Sequence, residues 1–350
     1  ACYRQFYEEA ISLCRQKRFH EALEKCRYTS LDDEEEYSID VIQPEKIEFK
    51  QNSYEDGENS IISFPEFLLL VLDVCTGGEQ PASHYQPDKL IEKFDALKTY
   101  FTAGEFYEKM LYYRLLLDYY TIRRDIKDGQ GNYSLILKGP KDDSDKLKQY
   151  QSMLYVSTEA FYNWLKPYLR KLEQDELHSC AEMLAFLKKG DNERHSILPA
   201  RKDLSYKASG NIRYWFWRLD YYLWEQRSTF FNEEEQKIVE HYVFRRNRSI
   251  EHLHPQDESH NEEWEEEAVH SFGNLAMISQ SFNSQQSNDH IQIKFARIHE
   301  QISNKSLQSI KMFLMCKLAD FNYLNWTMKL AKEHENEMIE FLERSFYISD

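Results

Sequence analysis

Paired cysteines are missing from this chain of 350 residues. Its six cysteines are scattered, with no C-x-x-C pair, so neither a zinc ribbon nor a disulfide framework is predicted and a cytoplasmic location is expected. Long apolar runs are also missing. The longest candidate, ISFPEFLLLVLDVC at 62–75, falls short of the ~18–20 residues of a spanning helix and contains Pro65, Glu66 and Asp73. We expect it to be a buried helix and no membrane anchor.

Glycine and proline are scarce, at 10 and 8 residues, while stretches rich in Leu, Glu, Lys and Tyr favour helices. A hydrophobic content of 41% allows a sizeable core, and the length suggests two domains or one large one. The predicted fold is mainly α. We predict a helical domain over residues 1–205 and a second domain over residues 206–350.

Positive charge is in short supply, since the formal net charge is −16. The charge therefore argues against binding to nucleic acid through bulk attraction, and any such contact has to be local, metal-assisted or shared with another domain. The acidic runs DDEEE (32–36) and EEWEEE (262–267) are more typical of solvated faces or loops than of metal sites. The chain begins with Ala rather than Met, which is consistent with a segment of a longer protein.

Helical periodicity dominates the N-terminal part, over 1–30, 61–75, 86–101, 106–126 and 146–174, with a break near Val156. A short strand candidate lies in the connection that holds DGQG (128–131), a stretch that serves a turn as well as it resembles a nucleotide-handling Asp-Gly-Gln motif. The segment NIRYWFWRLDYYLWEQ (211–226) is apolar nearly all round. Its aromatic side chains are therefore predicted to be core rather than a base-stacking platform.

The pattern changes after residue 240. VFRRNRSIEHLHP (243–255) looks extended, GNLAMIS (273–279) is a second short strand opened by a glycine, and DHIQIKFARIHEQI (289–302) begins a helix. The order strand, insertion, strand, helix predicts a small ββα unit at about 244–302, embedded in helices.

A Glu-His pair ends the first of these strands, at Glu251 and His252. A one-metal phosphodiesterase needs an imidazole that takes a proton from water, and a carboxylate plus another oxygen ligand that hold a divalent cation. Because neighbours on a strand point to opposite faces, only a bend or the following turn could aim both side chains at one phosphate. Pro255 helps to supply that bend.

A longer pattern surrounds this pair. IEHLHPQ (250–256), Trp264, GNLAMISQSFNSQQSN (273–288) and Lys294 resemble, in order and spacing, the His-Me finger (HNH) nuclease domain of GmrSD-type modification-dependent restriction endonucleases. Upstream stretches such as FPEFLLLVLDV and RLDYYLWEQR show a weaker similarity to the helical region of those proteins. The resemblance implies a metal-dependent DNA endonuclease of a phage-defence restriction system.

The resemblance also implies residue roles. His252 would be the general base, Glu251 and Asn283 would hold Mg²⁺ or Mn²⁺, Asn274 would brace the histidine loop, and Lys294 would contact phosphate or the leaving group. Taken alone, Asn274 would more often be a turn or capping residue, and Lys294 would more often be a solvated surface lysine.

Other charged side chains near the motif have less specific interpretations. Arg245, Arg246 and Arg248 could add local phosphate contacts, or could be edge-strand charges that discourage aggregation. Loop or supporting roles are expected for the remaining histidines of the region: His254, His260, His270 and His299.

Partners follow from the same resemblance. GmrSD-type proteins join this nuclease to an N-terminal nucleotide-hydrolysing domain with an Asp-Gly-Gln-Gln-Arg-like motif, whereas DGQG lies in the wrong place and lacks the arginine. That domain is expected in a segment missing from this chain or on a partner. Two alternatives to a DNA endonuclease remain: a catalytically silent helical module that docks a partner, and an RNA-cleaving HNH nuclease.

Overall fold

The computed structural model describes residues 2–29, 57–126, 133–140, 144–157, 160–246, 248–256, 264–279 and 291–347. Helices dominate these ranges, so the mainly α prediction is confirmed. The chain divides into two compact units, one of residues 1–144 and 160–183 and the other of residues 145–159 and 184–350. Whether the chain divides into folding domains after residue 205 stays a prediction.

The first unit consists of helices and a small sheet: α1 (Cys2–Arg15), α2 (Phe19–Thr29), β1 (Gly57–Ser60), α3 (Phe64–Cys75), α4 (Leu90–Leu97), α5 (Ala103–Tyr120), β2 (Arg123–Ile126), β3 (Tyr133–Ile136) and α7 (Phe161–Glu173). Its antiparallel sheet has the order β1-β2-β3. Helix α3 begins in a capping box formed by Ser63 and Glu66 and buries Leu69 to Leu72, as predicted for a core helix.

The second unit holds the remaining elements: α6 (Ser144–Val156), most of α8 (Cys180–Arg194), α9 (Arg213–Glu225), α10 (Arg227–Phe230), α11 (Glu233–Glu240), β4 (Arg248–His252), α12 (Glu266–Val269), β5 (Leu275–Ser279), α13 (Ile291–Ser303), α14 (Ile310–Leu318) and α15 (Met328–Arg344). Short 3-10 turns complete it, among them Arg201–Leu204 and Phe272–Asn274. Strands β4 and β5 pair antiparallel.

Helix α9 is buried on every side, as its apolar sequence predicted. All its residues from Tyr214 to Trp224 are buried, including Arg218 and Asp220. Both charges have partners: Arg218 donates to Asp191, at 3.3 Å, and Asp220 accepts from the backbone nitrogen of Lys311, at 2.8 Å. Pairing and hydrogen bonding make their burial tolerable.

The core of the second unit lies beneath the β4–β5 hairpin. In β5, Ala276 and Ile278 alternate onto this core, and the next helix, α13, adds Ile291, Phe295 and Ile298 at helical spacing. Strand β4, strand β5 and helix α13 thus follow one another along the chain, with α12 between the strands, and a ββα metal unit stays a prediction. In the part of the chain that the structure describes, no helix is both long and apolar enough to cross a bilayer.

Candidate functional site

The site lies where β4 ends. Glu251 pairs with Ala276 and His252 with Leu275. Both residues therefore lie in the last two backbone pairs of β4, and their positions are fixed by the buried partner strand β5. Their exposed fractions are 8% and 3%. The hairpin therefore presents a carboxylate and an imidazole that are nearly withdrawn from water.

Both ring nitrogens of His252 have partners. Nε2 lies 3.0 Å from Nδ1 of His270, and Nδ1 lies 3.0 Å from the side-chain amide nitrogen of the exposed Gln256. The ring of Tyr206 packs edge-on against the imidazole, with centroids 4.5 Å apart. These contacts fix the orientation of the ring from three sides.

Burial sets the charge of this imidazole. Burial first, and then the neighbouring His270 and Lys294, lowers the pKa of His252 to about 3. The pKa of His270 is also lowered, by burial and then by Lys207, against the opposing charge of Glu266. At neutral pH His252 is therefore uncharged and keeps a nitrogen lone pair, the form that a proton acceptor needs.

Asn274 joins the two strand ends. Its side-chain oxygen accepts from the backbone nitrogen of His254, at 2.8 Å, and from the indole of Trp326, at 3.2 Å. Its amide nitrogen donates to the backbone oxygens of His254 and Val269, at 3.0 and 2.8 Å. Asn274 is fully buried. Both polar atoms of the Asn274 side chain thus bond to the backbone of His254, two residues after His252.

Lys294 projects from α13 to the end of β4. Its ammonium group donates to Oε1 of Glu251 and to the backbone oxygen of His252, both at 2.6 Å, and the residue is only 2% exposed. It is therefore a buried partner of the predicted metal ligand and not a solvated surface lysine. Its predicted contact with phosphate stays a prediction.

A second buried lysine lies on the far side of the Asn274 turn. Lys311, on α14, donates to the backbone oxygens of Phe272 and Leu275, at 2.9 and 2.7 Å. These carbonyls flank Asn274 in sequence. Burial lowers the pKa of Lys311 to about 7 and raises that of the neighbouring Asp220 to about 6. Lys311 thus holds the turn that carries Asn274.

Of the three partners of His252, the sequence predicted a loop or supporting role for His270 and no role for Gln256 or Tyr206. His270 precedes Asn274 by four residues and Gln256 follows His252 by four, so both lie within or beside the motif segments already quoted. Tyr206 lies in a turn-rich stretch upstream, where no pattern linked it to the motif. His254 is buried and stacks on Trp264, with ring centroids 4.1 Å apart.

Several residues singled out from the sequence lie outside the described part of the chain. They are Asn283, His260 and the DGQG stretch, together with the side chain of Arg248. Arg245 and Arg246 are exposed, and Arg246 donates to the backbone oxygen of Tyr155, at 3.1 Å.

The proposed ligand atoms, a carboxylate oxygen of Glu251 and an amide oxygen of Asn283, are of the type that binds a hard divalent cation. Glu251 uses Oε1 for Lys294, and a carboxylate can accept further partners on its two oxygens. Carboxylate and amide oxygens are the ligands that Mg²⁺ takes from proteins. Within the described ranges, no three His, Cys, Asp or Glu side chains come together as a metal cluster. Glu251 is the predicted ligand that the structure describes, its carboxylate oxygens are of the type that such a cation binds, and one of them is paired with Lys294; a cation held there stays a prediction.

Comparison with known families gives the class of this region. Residues 192–341 match the family model described as GmrSD restriction endonucleases, C-terminal domain. The resemblance to GmrSD-type restriction endonucleases is thus confirmed for this segment, which holds strands β4 and β5 and the helices around them, while the HNH type stays a prediction. No curated protein and no solved structure matches the chain.

Proposed function

We propose that the chain is a Mg²⁺- or Mn²⁺-dependent DNA endonuclease of the HNH type, acting in a restriction system that defends against phage. The observation that carries the proposal is the convergence of Glu251, a neutral His252, Asn274 and Lys294 at one end of a buried hairpin, inside the segment that matches a restriction endonuclease domain. Any nucleotide-hydrolysing domain that works with it would lie outside this chain.

The reaction is hydrolysis of a phosphodiester bond. Nδ1 of His252 takes a proton from the attacking water, in place of its bond to the exposed Gln256 amide. Glu251 and Asn283 would hold the cation, whose chemistry is neutralisation of charge on the phosphate and the leaving oxygen. Asn274 keeps the backbone after His252 in place, and Lys294 pairs with the Glu251 carboxylate, where it would compete with the cation.

Because the net charge is −16, positively charged side chains close to the site would have to supply the contact with DNA. Arg245 and Arg246 are exposed directly before β4, and Arg248 lies within it. These three residues are the proposed phosphate contacts.

A plasmid-nicking assay tests the proposal. The chain should nick supercoiled DNA with Mg²⁺ or Mn²⁺, and EDTA should abolish the activity. Unmodified plasmid, phage DNA with modified bases and structured RNA should be compared in the same buffer. Cleavage of RNA alone would favour the RNA-cleaving alternative, and no cleavage of any substrate with either metal would favour a silent docking module. Activity that depends on cysteine-bound zinc would contradict the oxygen-ligand assignment.

A further inference from the structure

Two buried imidazoles meet behind the proposed active site. His252, on β4, and His270, directly after α12, have ring centroids 5.2 Å apart and share a hydrogen bond of 3.0 Å between Nε2 and Nδ1. They are separated by 18 positions in the chain. The proposed reaction assigns no role to His270.

The direction of this hydrogen bond follows from the other side of the His252 ring. The amide nitrogen of Gln256 can only donate, so Nδ1 of His252, 3.0 Å away, has to be the acceptor. A neutral imidazole carries one proton, which then lies on Nε2. Nε2–H in turn donates to His270, whose Nδ1 is the acceptor and whose own proton lies on Nε2.

We propose that His270 is a positioning residue, which holds His252 in the tautomer with its lone pair on Nδ1. This inference rests on the proposed function, because that lone pair is the proton acceptor of the nuclease reaction. Without an acceptor at His270, the proton of His252 could move to Nδ1, and the ring would then turn a donor toward the attacking water.

The backbone of His270 is anchored independently of His252. Its carbonyl accepts from the backbone nitrogen of Tyr206, at 3.0 Å, and from the hydroxyl of Ser205, at 3.1 Å. Its own nitrogen donates to the carbonyl of Glu266, at 3.2 Å, at the end of α12. The Tyr206 ring lies nearly parallel to the imidazole, at 15° and 5.8 Å. His270 therefore presents a fixed acceptor rather than one that adapts to His252.

Because His252 is buried, a change of its tautomer would leave a buried polar group without a hydrogen-bond partner. His252 is 3% exposed, so a proton on Nε2 that lost its acceptor could not bond to bulk water. The pKa of His270 is lowered by burial and by Lys207, which keeps its Nδ1 lone pair available near neutral pH. A known precedent for the size of such an effect is a serine protease, where the wrong histidine tautomer lowers kcat by about 10⁴.

Two substitutions separate positioning from packing. His270→Asn places an amide oxygen close to where Nδ1 lies and keeps an acceptor for His252. His270→Phe keeps a planar ring of similar size and removes the acceptor. A residue that only fills space would tolerate Phe better than Asn.

The direct readout is ¹⁵N NMR of the whole chain labelled at histidine, with His252→Ala used to assign the signals. The wild type and His270→Asn should show His252 protonated on Nε2, and His270→Phe should populate the tautomer protonated on Nδ1. In the nicking assay, His270→Phe should lower kcat about 10- to 100-fold with KM changed less than about threefold, and His270→Asn should recover most of the loss.

Three outcomes would overturn the inference: His252 protonated on Nδ1 in the wild type, an unchanged tautomer in His270→Phe, or equal loss of kcat in both variants. The spectra need neither metal nor DNA. The expected tautomers in a wild type that cleaves nothing would therefore support the hydrogen-bond assignment while rejecting the proposed nuclease.

Discussion

The imidazole of His252 is both uncharged at neutral pH and held in one orientation. Burial keeps its imidazole neutral by lowering its pKa, and bonds to Gln256 and His270 fix which nitrogen holds the lone pair. A proton acceptor that is oriented before substrate arrives needs little reorganisation during the reaction. At the scale of the residue, the site is thus defined by what surrounds the imidazole as much as by the imidazole itself.

Replacement of the proposed base tests this directly. His252→Ala should lower the rate of cleavage by about 10²- to 10⁴-fold, the usual contribution of general acid-base catalysis, with DNA affinity nearly unchanged. Plasmid nicking and a gel-shift assay measure the two quantities. His299→Ala, an exposed residue of α13, is the matched control. Loss of cleavage in His254→Ala together with an active His252→Ala would show that the motif is read in the wrong register.

Lys294 pairs with Glu251, so it would compete with a cation at this proposed ligand. Because its ammonium group lies 2.6 Å from Oε1, Lys294→Met should lower the Mg²⁺ concentration that gives half-maximal activity. Asn283→Ala should raise that concentration, because it removes a proposed ligand. Metal titrations of nicking at fixed DNA measure both. An increase in Lys294→Met would mean that the lysine supports the cation site rather than competing with it.

At the scale of elements, periodicity predicted some parts well and others poorly. Helix α9 and the break after Val156 are where the pattern placed them. The helix predicted over 106–126 ends at Tyr120, because residues from Arg123 on pair with β1 and β3 in a sheet. Such pairing joins distant segments and leaves no local signal in a short strand.

The candidate site shows the same limit. The motif predicted Glu251, His252, Asn274 and Lys294, which the structure brings together. The burial of Lys294 could have been read from its spacing, since it lies on the face of α13 that carries Ile291, Phe295 and Ile298. The contact of His270 with His252 depends on how α12 packs, and no spacing in the sequence specifies it.

Asn274 holds the turn between α12 and β5 through buried hydrogen bonds. Asn274→Ala should lower the free energy of unfolding by about 2–4 kcal/mol, since it leaves buried backbone groups at His254 and Val269 without partners. Asn274→Asp, which keeps the acceptor but buries a carboxylate against the backbone oxygens of His254 and Val269, should cost at least as much. Urea denaturation measures both variants, and a neutral effect of Ala would contradict a bracing role.

Lys311 should make this turn depend on pH. Its pKa in the folded chain is about 7, against an ordinary 10.5, so between these values only the unfolded chain binds the proton. Stability from this residue therefore rises with pH above 7 and is constant below it. The groups that face it are Asp220, Glu335 and His334; the pKa of Asp220, about 6, and the lowered pKa of His334 lie below that range.

The unfolding free energy of the wild type, minus that of Lys311→Met, should thus grow between about pH 7 and pH 9.5. Urea denaturation at three pH values measures it, with the exposed Lys332→Met on α15 as the control for charge loss alone. A difference that is flat over this range would show that Lys311 keeps its proton in the folded chain.

In the whole molecule, the second compact unit extends to both sides of the domain boundary that was predicted after residue 205. The second unit includes residues 145–159 and 184–205 as well as the predicted nuclease domain. Helical periodicity could not reveal this, because helices occur on both sides of residue 205. The division follows instead from packing between segments that are remote in sequence.

The buried Arg218 shows how much that packing matters. Its guanidinium group is fully buried and bonds to Asp191 and Asn192, at 3.3 and 2.8 Å, and Tyr150 donates to the same Asp191 carboxylate, at 2.7 Å. Asp191 and Asn192 precede residue 206, whereas Tyr214 and Ser345, which also bond to the guanidinium group, follow it. A fragment of residues 206–350 would therefore keep the buried cation and lose its carboxylate partner, and breaking a buried ion pair in this way costs about 3–5 kcal/mol.

We therefore expect a fragment of residues 145–350 to unfold cooperatively and a fragment of residues 206–350 to be markedly less stable, because this cost is a large fraction of the ~5–15 kcal/mol by which folded domains are stable. Near-UV circular dichroism and thermal melts of the two fragments decide the matter. Arg218→Met in the shorter fragment is the matched variant, since it removes the uncompensated charge and should recover part of the lost stability. A stable, cooperative 206–350 fragment with Arg218 intact would instead establish the boundary after residue 205, and would mean that the Asp191 network serves the longer chain without being required by the nuclease domain.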